Sequence, residues 1–386
     1  MLGKEFYKGR EQAFVKHYVL ENYLERLAFK IGMSVPGSTL NYLDGFSGPW
    51  QHADEQLQDT SPFIAIQKLR KTRTELAARN RQFNFRCLFI EKEAEPFEKL
   101  KAAAIAVKDA EIKTLRGEFE NLVTHAADFA SECRNPFGFF FIDPTGWTGY
   151  PMSRLRPLFA NRYSELLINF MTSFIDRFVD SEDPALLEGF QDLFGDQNYR
   201  QDWSGLVGLD REDAIVEAYC RRLRQSGNYP FVGSSIILDP NSDQTYYHLV
   251  YATHHPEGFR VFREVERKAH TQQEALRSEV ARDKRLAKRG MLDLFDPAVL
   301  ASKYDLALVQ RYHRKAKAAV ERCLEKNHRV SYDDVYELAL SFPLTSETHL
   351  KEWIADWVAE SRLKIEGLKP KERVPKPLRG HLLIWK

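Results

Sequence analysis

Four carboxylates, Asp44, Glu91, Glu118 and Asp143, each stand at or just beyond the end of a short run of strand-forming residues. Asp44 closes Leu40-Asn41-Tyr42-Leu43 and opens the turn Asp44-Gly45-Phe46-Ser47-Gly48. Glu91 closes Phe85 to Ile90, and Glu118 follows Thr114-Leu115 and Gly117. Asp143 closes Phe139-Phe140-Phe141-Ile142 and opens Asp143-Pro144-Thr145-Gly146-Trp147. Carboxylates accept hydrogen bonds from hydroxyls and amines, and glycines beside the first of them let backbone amides approach a ligand closely. Any one of these acids serves equally well as a turn cap or a solvated strand end. Their recurrence at successive strand ends is what marks a small-molecule pocket.

The elements that must position them can be read from periodicity. Residues 11–30 place Phe14, Val15, Tyr18, Val19, Tyr23, Leu24 and Leu27 at helical spacing. A second helix is expected from Ser61, with Pro62 in its first turn. Further helices are expected after Glu91 and between Glu120 and Ala130, and Glu165 to Phe170 read as another buried strand ending near Asn169. Strand, glycine turn, helix, strand, helix in alternation predicts a mostly parallel sheet with helices on both faces. Such sheets bind ligands at the carboxyl ends of their strands. Residues 180–230 read as an irregular helical insertion. Residues 246–268 read as two strands joined at His254 to Gly258, closing the sheet with an antiparallel edge strand.

The first turn lacks GxGxxG and the chain lacks GK[ST], so a phosphate cradle is not expected. An acid, two glycines and an aromatic suit a ligand with hydroxyls or positive charge. Glu91 is placed to accept ribose hydroxyls, and Glu118 an adenine amine. S-adenosylmethionine carries both groups without phosphate, so Asp44, Gly45, Phe46, Gly48, Glu91 and Glu118 are its candidate contacts. Asp143, Pro144 and Trp147 are the candidate catalytic set. In amino-methyltransferases a [DN]-P-P-[YFW] turn holds the target amine and stacks its base; here Thr145 replaces the second proline and Trp147 arrives one place late. Trp147 serves equally well as a packing residue over the sheet edge. A magnesium ion held by Asp44, Glu91 and Asp143, as in a nuclease, is a lesser alternative. His254 and His255 have no nearby third ligand, so no metal site is assigned.

Bulk properties narrow the field. A net charge of +1 over 386 residues gives no global case for nucleic acid or membrane, and 43% hydrophobic with 29% charged residues is ordinary for a folded protein. Cys87, Cys133, Cys220 and Cys323 form no CxxC pair, and each is expected in the core. The charged amino terminus does not read as a signal peptide, and no apolar run is long enough for a membrane span, so a cytoplasmic protein without membrane contact is expected.

With these residues assembled, the chain resembles the three-Cys-motif partner protein family over roughly residues 14–265. The matching stretches are Lys16-His17, Tyr23-Leu24, Tyr42 to Pro49, Ser61-Pro62, Phe89-Ile90-Glu91, Gly117-Glu118-Phe119, Phe141 to Gly146 and Glu165 to Phe170. It departs at Trp50, where the family usually has glycine, and at Glu118, where it usually has aspartate. The resemblance implies a methyltransferase-like fold and a separate partner protein bearing a radical S-adenosylmethionine-type three-cysteine motif.

The last ninety residues predict helix, turn, helix, strand, basic loop, strand, the order of a winged helix, with Thr345 and Ser346 as candidate caps. Trp353 and Trp357, four apart, are expected in its core. Lys369, Lys371, Arg373, Lys376 and Arg379 crowd the loop, and Arg282 and Arg285 lie on an earlier basic helix; these are the candidate nucleic-acid contacts. The expectation is therefore an α/β protein. A doubly wound, mostly parallel sheet of S-adenosylmethionine-dependent methyltransferase type spans 1–295, and a small helical, winged-helix-like domain spans 296–386. The function expected is S-adenosylmethionine-dependent modification of nucleic acid, or support for its modification or repair. The alternative is a catalytically silent nucleic-acid-binding partner of the three-cysteine protein.

Overall fold

The computed structural model describes residues 3–48, 59–289 and 298–386. Seven strands form one sheet: β1 (Ser38–Asp44), β2 (Phe83–Glu91), β3 (Glu111–Arg116), β4 (Pro136–Ile142), β5 (Ser164–Phe170), β6 (Phe231–Leu238) and β7 (Thr245–Thr253). Their order is β3-β2-β1-β4-β5-β7-β6. Strands β1 to β5 run parallel, and β7 is antiparallel to both β5 and β6. The chain leaves β1 toward β2 and β3, then returns to lay β4 on the other side of β1. That reversal opens a crevice at the carboxyl ends of β1 and β4, where ligands bind in open α/β sheets.

Helices cover both faces: α1 (Glu11–Ser34), α2 (Ser61–Ala77), α3 (Ala94–Ala106), α4 (Phe119–Ser131), α5 (Met152–Phe159), α6 (Thr172–Phe178), α7 (Pro184–Phe194), α8 (Gly208–Gly227) and α9 (Pro256–Arg289). Side chains alternate across the central strand. Leu40 and Tyr42 join an apolar cluster with α1, α2 and α9, whereas Leu43 joins α4, α5 and α8 on the opposite face. Every residue of β1 and β5 is buried, as befits interior strands covered on both faces. The side chain of Thr60 caps α2 through the Phe63 N–H at 3.3 Å, one residue before the expected start, with Pro62 in the first turn.

The expected hairpin at 246–268 is corrected. Only its first half is a strand, β7, and its hairpin partner is the preceding β6, which takes the sheet edge and leaves β7 in the interior. The second half is the start of α9. Phe259, Phe262, Val265 and Ala269 recur at helical spacing and are all buried, so the 3.6-residue period prevails over the strand propensity of Val261 and Phe262. The core expectation for the cysteines holds for Cys87 and Cys220, while Cys133 and Cys323 are only half-buried.

The carboxyl-terminal region comprises α10 (Ala298–Asn327), β8 (Arg329–Ser331), α11 (Tyr332–Ser341), α12 (Glu347–Ala359), β9 (Leu363–Glu366) and β10 (Leu382–Trp385). β8, β10 and β9 form a three-stranded antiparallel sheet in that order. Trp353 and Trp357 are buried, and Ser346 precedes α12 with its N–H donated to Nδ1 of His349 at 3.1 Å. The 295/296 boundary lies outside the described residues. The apolar cluster on the α1 face continues into this region through Ala316, Val320, Val335 and Trp357. The buried Arg263 guanidinium of α9 joins the two. It donates to Ser234 O of β6 (2.7 Å), Leu340 O of α11 (2.7 Å) and the Glu266 carboxylate (2.7 Å). Among the described residues no helix is long and apolar enough to cross a membrane.

Candidate functional site

Asp44 ends β1 with its side chain fully buried. Oδ1 accepts the Phe46 N–H at 3.1 Å, and Oδ2 accepts the hydroxyl of Ser61, the first residue of α2, at 2.5 Å. Burial pushes the Asp44 carboxyl up to about 7; the Ser61 hydrogen bond opposes this, and the nearby negative charge of Asp143 adds to it. The turn beyond is sewn to the neighbouring strands: Gly45 N–H donates to Phe141 O at 3.0 Å and Ser47 N–H to Ile90 O at 2.8 Å. Gly45 is required sterically. A Cβ there would sit 2.7 Å from the Phe119 ring, which also packs on Phe46 at 5.4 Å between centroids.

Asp143 follows β4. Its Oδ2 accepts the ammonium of Lys16, on α1, at 2.5 Å, and its Oδ1 accepts the side-chain amide of Asn169, at the end of β5, at 2.8 Å. Asn169 is buried and, among the described residues, its own Oδ1 has no hydrogen-bond partner. A buried amide oxygen without a donor is uncommon and costs about 1–3 kcal/mol. Tyr247 of β7 completes this corner: its ring lies 6.0 Å from the Lys16 nitrogen, and its hydroxyl donates to Gln12 O at 2.7 Å.

These groups converge on a cavity of about 340 Å³ lined by Lys16, Phe46, Ser47, Gly48, Ser61, Asp143, Pro144, Asn169, Met171 and Tyr247, among others. Its volume falls at the lower end for small-molecule sites. The other expected residues lie elsewhere. Glu91 ends β2, buried, with Oε1 accepting the Glu93 N–H at 2.7 Å, where it holds the turn into α3. Glu118 is exposed at the start of α4 and accepts from the Asn121 side chain at 3.1 Å. Neither lines the cavity. Trp147 does not line it either: its ring stacks on Phe190 of α7 with centroids 4.2 Å apart and planes at 21°. Pro49 and Trp50 lie outside the described residues.

Among the described residues no three His, Cys, Asp or Glu side chains converge to hold a metal ion. The grouping of Asp44, Glu91 and Asp143 around magnesium is therefore corrected: Glu91 is turned to its own helix start, and the other two acids are engaged by Ser61 and Lys16. His254 packs on Tyr229 with centroids 4.3 Å apart and planes tilted at 31°, and burial lowers its basicity.

Two residues at the centre of this geometry, Lys16 and Asn169, were not among the expected site residues. Asn169 carried the available signal, a polar residue ending an apolar strand. Lys16 stood in the first of the stretches that carry the family resemblance, Lys16-His17, but on an amphipathic helix nothing in its position gave it a role.

No family model matches the sequence, and no curated protein matches it. Among solved structures, the chain is similar to protein LPL1258 from Legionella pneumophila str. Philadelphia 1, of family DUF519. The identity is 11%, the match covers 65% of this chain and 88% of that one, and the TM-score is 0.36. It is also similar to loganic acid methyltransferase with SAH, at 11% identity, covering 81% of this chain and 92% of that one, with a TM-score of 0.29. Likenesses this loose bear no functional weight, so the case rests on the residues themselves.

Proposed function

We propose that this chain is an S-adenosylmethionine-dependent methyltransferase acting on an amine of nucleic acid. The observation that carries the reading is the buried Oδ1 of Asn169, without a hydrogen-bond partner among the described residues, beside Asp143 in the crevice at the strand ends. An acceptor pair of this kind suits a group with two N–H donors. The parallel order β3-β2-β1-β4-β5, with the antiparallel β7 set before the edge strand, is consistent with the methyltransferase-type sheet expected from the sequence.

The cofactor would supply an electrophilic methyl group on a sulfonium centre. Ser47 and Gly48, which line the cavity, would shape its turn, while Glu91 stays at the start of α3 outside it. Asn169 and Asp143 would accept the amine hydrogens and orient the nitrogen lone pair, and Asp143 could take up the proton released on methylation. Orientation then supplies most of the rate, without a general base of unusual strength. Before an amine can share Asp143, the Lys16 ammonium must share or release Oδ2.

That same contact favours a second reading. Lys16 already neutralises the acid, as befits a catalytically silent partner that binds nucleic acid and positions a radical S-adenosylmethionine-type three-Cys protein. In either reading the carboxyl-terminal helices and three-stranded sheet serve as a winged-helix-like nucleic-acid module.

Calorimetric titration with S-adenosylmethionine and S-adenosylhomocysteine tests the proposal. Saturable binding that is lost in Ser47→Trp, which fills the cavity at the β1 turn, supports the cofactor site. Absence of binding at millimolar ligand removes that reading and leaves the silent partner.

A further inference from the structure

We infer that the carboxyl-terminal region grips nucleic acid through the β9–β10 connection alone, holding the phosphodiester backbone without reading bases. This grip presupposes nucleic acid as the substrate, but its test needs no catalysis. Lys369, Lys371, Arg373, Lys376 and Arg379 are all exposed, and among the described residues none of their side chains has an ion-pair or hydrogen-bond partner. The one acid between them, Glu372, is occupied by the Lys369 N–H at 3.1 Å and faces His381 at 3.5 Å.

The loop that carries these cations is anchored. The Lys376 N–H donates to buried His381 Nδ1 at 3.0 Å, the Leu378 N–H donates to Asp333 of α11 at 2.8 Å, and Pro375 is buried. Five cations within eleven residues, with Glu372 the only acid among them and the backbone held, form a surface for an array of phosphates.

The helix that would read bases argues the other way. The exposed face of α12 presents Thr348, Glu352, Ala355, Asp356, Ala359 and Glu360, with no free cation, and Lys351 is paired with Glu347 at 2.7 Å. Laid in a groove, that face would set carboxylates against phosphates. On the second basic patch, at the end of α9, Arg282 faces Asp283 at 3.5 Å. The carboxyl-terminal region therefore contributes affinity without sequence selectivity.

The test is fluorescence anisotropy of the full chain with labelled single-stranded RNA, duplex RNA and duplex DNA, each in two unrelated sequences, across a salt series. Unrelated sequences of one type should bind within about threefold of each other, since backbone contacts carry no sequence information. On duplex DNA, five phosphate contacts give a slope of about −4.5 for log affinity against log salt. Replacing all five cations by alanine should flatten the slope and weaken binding by about thirtyfold or more at moderate salt. Glu352→Gln with Asp356→Asn should leave affinity and selectivity unchanged. Calorimetric binding of S-adenosylmethionine to the five-alanine variant, with its thermal midpoint, separates loss of grip from loss of fold or of the cofactor site. The inference is overturned if the five-alanine variant binds as the parent does, or if the α12 variant alters sequence preference. It is equally overturned if polyglutamate competes as well as nucleic acid, which would mark the loop as a dock for an acidic protein.

Discussion

Lys16 reaches across from α1 to donate its ammonium to Asp143 at 2.5 Å, tying the first helix to the turn after β4. Both side chains are largely buried, at 14% and 13% exposure. The other Asp143 oxygen is held by Asn169, so the acid reaches the cavity with its charge balanced and its position set by two separate elements.

Removing the cation should therefore cost stability. Lys16→Met is expected to lose about 1–3 kcal/mol, less than a sealed pair because some solvent remains. In the double variant with Asp143→Asn part of that loss should return, since no carboxylate is left unpaired. Urea unfolding of the two singles and the double gives the coupling directly. Purely additive losses would mean that the contact contributes nothing to the fold.

Asp44 and Glu165 set a pH dependence whose sign follows from burial. Both carboxyls are pushed up to about 7, chiefly by desolvation. Between about pH 4 and 7 the native state keeps protons that the unfolded chain has released, so stability falls as pH rises through that window and levels off above it. Each group contributes at most about 1.4 kcal/mol per pH unit. Asp44→Asn and Glu165→Gln should each remove one share of the slope in unfolding midpoints measured from pH 4.5 to 8. An unchanged slope in Asp44→Asn would place that carboxyl in its ordinary range.

Trp147 behaves as a packing residue. Trp147→Ala should lose about 1–3 kcal/mol from the stack on Phe190, with ligand titration at the cavity unaffected. A variant of parental stability that no longer binds single-stranded nucleic acid would instead assign the indole to base stacking.

Arg263 is a buried charge that ties α9 to the carboxyl-terminal region. Arg263→Met strands Glu266 and the carbonyls of Ser234 and Leu340, and should cost about 3–5 kcal/mol. Replacing Glu266 by Leu as well should recover part of the loss. Chemical unfolding followed by tryptophan fluorescence reports this, because Trp353 and Trp357 lie in the region that Arg263 secures.

The sequence alone determined the parallel core and the acids at its edge. Strands buried on both faces are rich in apolar residues, so Phe139 to Ile142 and Leu166 to Ile168 declare themselves, and the polarity change at Asp44, Glu91 and Asp143 marks where each strand meets the crevice. The two carboxyl-terminal helices and the basic loop were legible for the same reason: local periodicity and charge encode them. Only the tertiary structure decided that β6, diluted by Gly233, Ser234 and Ser235, is a strand, and that Pro256 begins a helix. It alone gathered the site. Lys16 meets Asp143 across 127 positions of chain and Asn169 meets it across 26, while Glu91, Glu118 and Trp147 are drawn to partners outside the cavity. Such contacts depend on how helices cross the sheet. No spacing along the chain records them, because a side chain's partner is fixed by the packing of elements far apart in sequence.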